Sequence, residues 1–201
     1  LKTEWKGNHN SKFVIHSTIG SKPYKGLETV CEALYELNKT SEIQAEWHIA
    51  GVDQKDLIVK VTKRKLKNKY PTIGLKYLGQ LNDQQLVMVM ANADLFVSPS
   101  HIENSSNSLC EAMVLGMPCI ATYAGGTGSL LTDGVEGILI QDGDPWVLAG
   151  SILELYRNPQ LAKQFSHNAR KRALNRHNPD FIVNELIKNY GEILDQNKEK
   201  I

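Results

Sequence analysis

Two glutamates with seven residues between them are the first candidates for functional side chains in this chain. Glu103 lies in the polar segment 100–107, and Glu111 lies in a short helical pattern that follows it. A carboxylate can accept hydrogen bonds from two sugar or ribose hydroxyls. The N-terminus of a helix supplies unpaired N–H groups that suit a diphosphate. A nucleotide-sugar requires both kinds of contact, so this spacing favours a nucleotide-sugar site.

An alternation of apolar runs and helical patterns predicts the elements that hold these glutamates. Apolar runs at 13–15, 47–50, 75–78, 95–97, 119–121 and 137–140 have the length of strands, and helical patterns lie between most of them. Such alternation predicts an α/β fold with a parallel sheet covered on both faces. Both glutamates follow the run 95–97, and open α/β sheets bind ligands beyond the carboxyl ends of their strands.

A second interpretation of Glu111 stays open at this stage. The helix is predicted to begin near Ser108 and to end at Gly116, with Pro118 just beyond it. Ser108 and Glu111 then have the spacing of a capping box, in which the glutamate only bonds the first helical N–H. With Glu103 as a solvated loop acid, the chain would be a non-catalytic ligand-binding module.

Two well-known phosphate loops are excluded at the first predicted turn. The Rossmann fingerprint G-x-G-x-x-G is absent, and the P-loop needs a lysine directly after its glycine. Here Lys25 precedes Gly26, and an apolar helical stripe begins at Leu27.

Several of these residues together resemble the signature of a known family. They are Pro99-Ser100, Glu103, Glu111-Ala112-Met113, Gly116, Pro118 and Gly125-Gly126. This pattern resembles that of the retaining glycosyltransferases of family 4, also called group 1, which have the GT-B fold. The resemblance covers nearly the whole chain as the C-terminal, donor-binding half of such an enzyme, with a Rossmann-like doubly wound parallel sheet. It implies transfer of a sugar from a UDP- or GDP-sugar to a glycan or lipid-linked acceptor.

The resemblance also implies roles for individual residues. Lys25 would hold the diphosphate and Glu103 the transferred sugar, so these two are the expected catalytic residues. Glu111 would bind the ribose hydroxyls. The other expected donor-binding residues are Leu78, Gly79, Ser105, Ser106, Asn107, Ser108, Gly125 and Gly126. No metal and no cofactor are expected besides the nucleotide-sugar itself.

Three departures from the family pattern bear on these roles. The arginine that commonly follows a glycine after the first strand is missing, and Lys22 is a weak substitute for it. Ser129 stands where the family commonly has a glutamate. The loop 104–107 lacks the family's usual glycine and aromatic residue, which leaves the donor sugar open.

Composition restricts the remaining function classes. With 201 residues, 41% of them hydrophobic, and a formal net charge of +1, the chain is typical of one globular α/β domain without a general attraction to nucleic acid. The basic run within 60–69 lacks an aromatic stacking platform and is expected to be a solvated helix face. Three cysteines without paired spacing indicate neither disulfides nor a zinc site.

The domain boundaries complete the expectations. Residues 1–12 are expected to form an entry arm, 13–176 the nucleotide-sugar-binding domain, and 177–201 a C-terminal helix that packs on an N-terminal acceptor domain. Without that domain we expect weak nucleotide binding and no transfer.

A cytoplasmic location is expected, with a possible position at the inner face of the membrane. The basic helix 159–176 is expected to be either a solvated face or a surface for the partner domain or for anionic lipid. An epimerase or phosphorylase of the same fold is the alternative enzyme class.

Overall fold

A computed structural model describes residues 4–7 and 12–198, and within that part of the chain it contains six strands, eight α-helices and two short 3-10 helices. The strands are β1 (Phe13–Thr18), β2 (Ala45–Ala50), β3 (Leu75–Gly79), β4 (Leu95–Ser98), β5 (Cys119–Thr122) and β6 (Ile138–Ile140). The helices are α1 (Leu27–Leu37), α2 (Leu57–Leu66), α3 (Asp83–Ala91), α4 (Asn107–Leu115), α5 (Thr127–Leu130), α6 (Pro145–Arg157), α7 (Pro159–Arg176) and α8 (Pro179–Lys198).

All six strands form one parallel sheet in the order β3-β2-β1-β4-β5-β6. The chain therefore leaves the sheet centre in one direction through β1, β2 and β3, and in the other direction from β4 onwards. The strand order reverses between β1 and β4, which makes this position the topological switch point where doubly wound sheets bind ligands. Each predicted apolar run is a strand, so the predicted α/β class and doubly wound sheet are confirmed.

The two faces of the sheet carry separate apolar layers, because side chains alternate along each strand. Ile15 faces the layer formed with α1, α2 and α6, whereas Val14 faces the layer formed with α3, α4 and α7. Trp47 and Phe96 are the largest fully buried side chains, one in each layer. The two strands next to the switch point, β1 and β4, are therefore packed between two apolar layers.

The described part of the entry arm, residues 4–7, is attached to the domain. Trp5 Nε1 donates to Ala93 O at 2.7 Å, and the Trp5 backbone N–H donates to Leu115 O at 2.8 Å. Arg170 Nη2 lies 2.8 Å from Glu4 Oε1. The rest of the predicted arm, residues 1–3 and 8–11, lies outside the described residues.

The basic segment confirms one prediction and corrects a boundary. Val59, Thr62 and Leu66 of α2 are buried, whereas the lysines and the arginine between them are exposed, as expected for a solvated face. The sequence pattern predicts a helix over 53–70 around this basic run, and the observed helix is shorter. It begins at Leu57, and residues Lys67–Lys69 form a separate 3-10 turn after a break at Lys67, which has a φ of +50°.

The last helix, α8, has a largely exposed apolar surface. It follows α7 as predicted, and its contacts with the remainder of the described chain are confined mainly to α7. Its exposed apolar side chains are Phe181, Ile182, Val183, Leu186, Ile187, Tyr190, Ile193 and Leu194. Its packing against a further domain stays a prediction.

Candidate functional site

The site is built on the loop between β4 and the N-terminus of α4. Ser106 is the N-cap of α4, and its Oγ accepts a hydrogen bond from the Leu109 backbone N–H at 3.3 Å. The expected start near Ser108 is therefore one residue late, and the Ser108–Glu111 capping box does not form. Ser106 takes this role because the helix begins at Asn107, which places the serine at the capping position. Glu111 is left available for a ligand.

A pocket of about 420 Å³ lies at the switch point, between the carboxyl end of β1 and the N-terminus of α4. It brings together seven of the residues that the sequence predicted for the site. They are Lys25, Glu103, Ser105, Ser106, Asn107, Ser108 and Glu111. Lys25 lies in the segment that follows β1, and the other six lie in the loop and helix that follow β4. The two segments are distant in the sequence and adjacent in space because β1 and β4 are neighbouring strands.

Lys25 and Glu103 form an ion pair in this pocket. Lys25 Nζ lies 2.8 Å from Glu103 Oε2, and only 27% and 12% of the two side chains are exposed. Lys25 reaches this position because Gly26 follows it in the left-handed region, with a φ of +74°. A Cβ on Gly26 would lie 2.0 Å from Pro99 O, so only glycine allows the start of α1 to approach the β4 loop this closely.

The carboxylate of Glu103 is held by its own loop. Ser100 Oγ donates to Glu103 Oε2 at 3.3 Å, and the Asn104 backbone N–H donates to Glu103 Oε1 at 3.2 Å. These bonds orient the carboxylate before any ligand arrives, which lowers the entropic cost of binding.

Gly125 and Gly126 support this loop from behind. The Gly126 backbone N–H donates to Glu103 O at 3.2 Å. A Cβ on Gly125 would lie 1.8 Å from Glu103 O, and one on Gly126 would lie 1.9 Å from Asn104 O. Neither glycine lines the pocket, so the structure gives the pair a supporting role, and their direct contact with the donor stays a prediction.

Leu78 and Gly79 are placed at the end of β3, which is separated from β1 by β2. Gly79 bonds through its N–H to Val52 O at 3.1 Å and accepts from the Gly51 N–H at 2.8 Å. Both lie at the same carboxyl edge of the sheet as the pocket but do not line it. Lys22 is exposed and does not line it either. The nucleobase contact predicted for 78–79 stays a prediction.

The environment of Glu111 raises the pKa of its carboxyl group above the ordinary value. Partial burial raises the pKa of Glu111, and the negative charge of Asp83 at the start of α3 raises it further. Glu111 thus lies beside a second carboxylate, and hydroxyl groups of a ligand would relieve this repulsion by donating to it.

His101 fixes the first half of the loop to two other elements. Its Nε2 lies 3.2 Å from Glu28 Oε1 in α1, and its Nδ1 lies 3.2 Å from Asp142 Oδ2 after β6. The nearby Asp144 caps α6 by accepting from the Trp146 and Val147 backbone N–H groups. Asp142 and Asp144 have the Asp-x-Asp spacing of some metal sites, but here the first lies in a turn and pairs with His101, and the second caps a helix. In residues 4–7 and 12–198, no three His, Cys, Asp or Glu side chains are grouped to hold a metal ion.

Three residues that line the pocket were missed by the sequence analysis. They are Thr18, Gly20 and Leu86. Thr18 and Gly20 carried a usable signal, because they follow the first apolar run and the end of β1 must face the switch point. Leu86 carried none, since its contact depends on how α3 packs.

A comparison with known families adds an independent observation. The family model for glycosyl transferases group 1 matches residues 3–172. The chain belongs to the group 1 glycosyltransferases. The match includes every residue predicted for the site.

Relatives and solved structures agree with this assignment. The uncharacterized glycosyltransferase MJ1069 of Methanocaldococcus jannaschii is 25% identical over 174 residues, which are 86% of this chain and 42% of the relative. Anabaena HepE in complex with UDP and glucose is 23% identical, with a TM-score of 0.78 over 90% of this chain and 48% of that one. The C-terminal domain of LpcC, a group 1 glycosyl transferase from Francisella tularensis, has a TM-score of 0.66, 20% identity and 88% coverage of both chains.

These comparisons confirm the family and the Rossmann-like α/β fold of GT-B glycosyltransferases that the sequence predicted. The assignment of the chain to the C-terminal half of such an enzyme stays a prediction. The chain spans less than half the length of the curated relative. Throughout the described residues, every helix is too short or too polar to cross a membrane.

Proposed function

We propose that this chain is the donor-binding domain of a retaining glycosyltransferase that moves a sugar from a UDP- or GDP-sugar to a glycan or lipid-linked acceptor. One observation carries the proposal. Lys25, Glu103 and Glu111 converge on the N-terminus of α4 in a single pocket at the switch point of the sheet. The fold likeness to HepE, which was crystallised with UDP and glucose, makes a UDP-sugar the first donor to test.

The diphosphate is assigned to Lys25 and to the first turn of α4. Unpaired N–H groups and the helix dipole favour a negative charge there, and Lys25 adds a charge-assisted hydrogen bond. Both groups stabilise the charge that develops on the leaving diphosphate. In this proposal they supply the positive charge without a divalent metal ion.

The transferred sugar is assigned to Glu103. Its ion pair with Lys25, at 2.8 Å, holds both side chains in place. When Lys25 binds the diphosphate, its ion pair with Glu103 is broken. The Glu103 carboxylate can then accept hydrogen bonds from sugar hydroxyls. The backbone N–H groups of residues 105–107 would assist it.

The ribose is assigned to Glu111. Its carboxylate lies on α4 and does not cap that helix, because Ser106 does so. It can accept hydrogen bonds from two vicinal hydroxyls. The acceptor is assigned to a separate N-terminal domain of the whole enzyme, so we expect the 201-residue chain to bind nucleotide weakly and to transfer no sugar.

Calorimetric titration of the chain with UDP, GDP and UDP-glucose tests this proposal. Glu111→Gln should weaken binding of UDP or GDP at least tenfold while the melting temperature changes little, because Ser106 and not Glu111 caps the helix. Glu154→Gln, which alters an exposed glutamate on α6, is the matched control. If none of the nucleotides bound at millimolar concentration, the proposal would be overturned.

A further inference from the structure

Thr18 is a pocket residue with a buried partner behind it. It ends β1 and lines the pocket beside Lys25 and Glu103. His16 lies two residues earlier on the same face of β1, and its Nε2 is 3.4 Å from Thr18 Oγ1. Among the described residues Thr18 Oγ1 has no other hydrogen-bond partner. The contact between His16 and Thr18 therefore links a buried imidazole in the layer under α4 to a hydroxyl at the wall of the pocket.

Ser17, which lies between His16 and Thr18, faces the opposite side of the sheet and has different hydrogen bonds. Ser17 Oγ donates to Val97 O at 2.7 Å and accepts from Trp47 Nε1 at 3.0 Å, so its hydroxyl is fully used within the core. The Thr18 hydroxyl has only the contact with His16. Within this polar triplet of β1, Thr18 is the member that retains hydrogen-bonding capacity at the pocket.

His16 is uncharged at neutral pH. It is completely buried, with its ring 6.2 Å from that of Phe96. This burial, together with repulsion from His48 on the neighbouring strand, lowers the pKa of His16 to about 3. The neutral imidazole carries a single N–H, either on Nδ1 or on Nε2.

The surroundings select the position of that proton. Nδ1 is buried and has no hydrogen-bond partner in the described part of the chain. A proton on Nδ1 would leave a buried N–H unpaired, which is rarer in proteins than an unpaired acceptor lone pair. A proton on Nε2 instead donates to Thr18 Oγ1. Once Thr18 Oγ1 accepts this bond, its own hydrogen is free to point into the pocket.

We infer that Thr18 is a further donor-binding residue, whose hydroxyl, oriented by His16, donates a hydrogen bond to an oxygen of the nucleotide's diphosphate. The inference rests on the proposed function, since it assigns a new contact within the same pocket. A hydroxyl donor fits the anionic part of the ligand, because Thr18 lines the same pocket as Lys25 and the first residues of α4. His16 is a positioning residue that acts through Thr18.

The binding test compares UDP with uridine, which lacks the diphosphate. Thr18→Val keeps the shape of the side chain and removes its hydroxyl, so we expect the affinity for UDP to fall about tenfold or more and that for uridine to stay the same. Thr18→Ser should restore most of the UDP affinity. Thr72→Val, at an exposed threonine far from the pocket, is the control.

The role of His16 is tested in the unaltered chain by nitrogen-15 NMR of the imidazole rings. We expect a neutral ring protonated on Nε2 at pH 7 and a change in the Nε2 resonance when UDP is added. The affinity effects of His16→Phe and Thr18→Val should be non-additive, because both remove the same hydrogen-bond path.

Three outcomes are informative. If the wild-type chain binds neither UDP nor GDP, the proposed function itself fails and this inference fails with it. If the wild type binds UDP and Thr18→Val binds it equally well, only the Thr18 contact is overturned. A ring protonated on Nδ1, or additive effects of the two substitutions, would overturn the positioning role of His16.

Discussion

Glu103 shows at the scale of one residue how a loop carboxylate becomes a functional group. Its carboxylate contacts the side chains of Lys25 and Ser100 and accepts a hydrogen bond from the Asn104 backbone N–H. Its backbone carbonyl accepts a hydrogen bond from the Gly126 N–H. A solvated loop acid would have none of these restraints. The glutamate is held in place because the segment after β1 meets the loop after β4. Behind that loop, Gly125 and Gly126 pack so closely that neither position could hold a side chain.

Glu46 illustrates a charged residue with a structural role. It lies in β2, is buried, and contacts Lys76, His48 and Lys12. Burial acts to raise the pKa of Glu46, but the hydrogen bonds from Lys76, His48 and Lys12 outweigh it and lower the pKa from 4.5 to about 2. A carboxyl group with a lowered pKa stabilises the fold fully above pH 4.5, and this stabilisation is lost as the pH falls towards 2.

We therefore expect Glu46→Gln to flatten the decline of stability between pH 4.5 and 2. Melting temperatures measured from pH 7 downwards would show a smaller loss in the variant than in the wild type. Glu154→Gln should leave the profile unchanged. Equal slopes for Glu46→Gln and the wild type would contradict this account of the ion-pair cluster.

At the scale of one element, α4 depends on its cap. Ser106 is buried at the N-terminus of the helix and satisfies the Leu109 backbone N–H. This cap orients the first turn of α4, on which the proposed diphosphate contacts depend. A helix of nine residues has few internal hydrogen bonds, so the loss of one terminal contact matters.

Ser106→Ala should lower the free energy of unfolding by about 0.5–2 kcal/mol. Urea unfolding followed by circular dichroism measures this change. Ser105→Ala, one residue earlier and exposed, should have little effect on stability. If the two variants were equally stable, Ser106 would not be the functional cap.

At the scale of the whole molecule, α8 is nearly independent of the sheet. Its exposed apolar side chains extend from Phe181 to Leu194, and its contacts with the described chain are confined mainly to α7. The buried residues of both apolar layers lie between Val14 and Ala173. The boundary predicted at residue 176 coincides with the C-terminus of α7 and stays a prediction.

A chain shortened to residues 1–176 should keep both the melting temperature within a few degrees and the affinity for UDP. Differential scanning calorimetry and titration with UDP measure these two properties. A chain shortened within α7, to residues 1–164, is the control and should unfold, because it loses Phe165, Ala169 and Ala173 from the core. Unfolding of the 1–176 chain would place α8 inside the domain.

Local sequence patterns predicted the six strands, most of the helices and the family, because apolar periodicity and turn residues act over a few neighbouring positions. The bounds of α2 and the start of α4 were predicted wrongly. It also placed Lys25, Glu103 and Glu111 among the candidates, since short local patterns carry their resemblance. Only the tertiary structure decided that Lys25 pairs with Glu103 across 78 residues, that Ser106 caps α4, and that Gly125 and Gly126 lie behind the loop. The ion pair and the position of the glycines depend on which strands are neighbours in the sheet, whereas the cap depends on the residue at which α4 begins. The path from His16 to Thr18 also needed the structure, because burial and the missing partner of Nδ1 exist only once the layers have packed around β1.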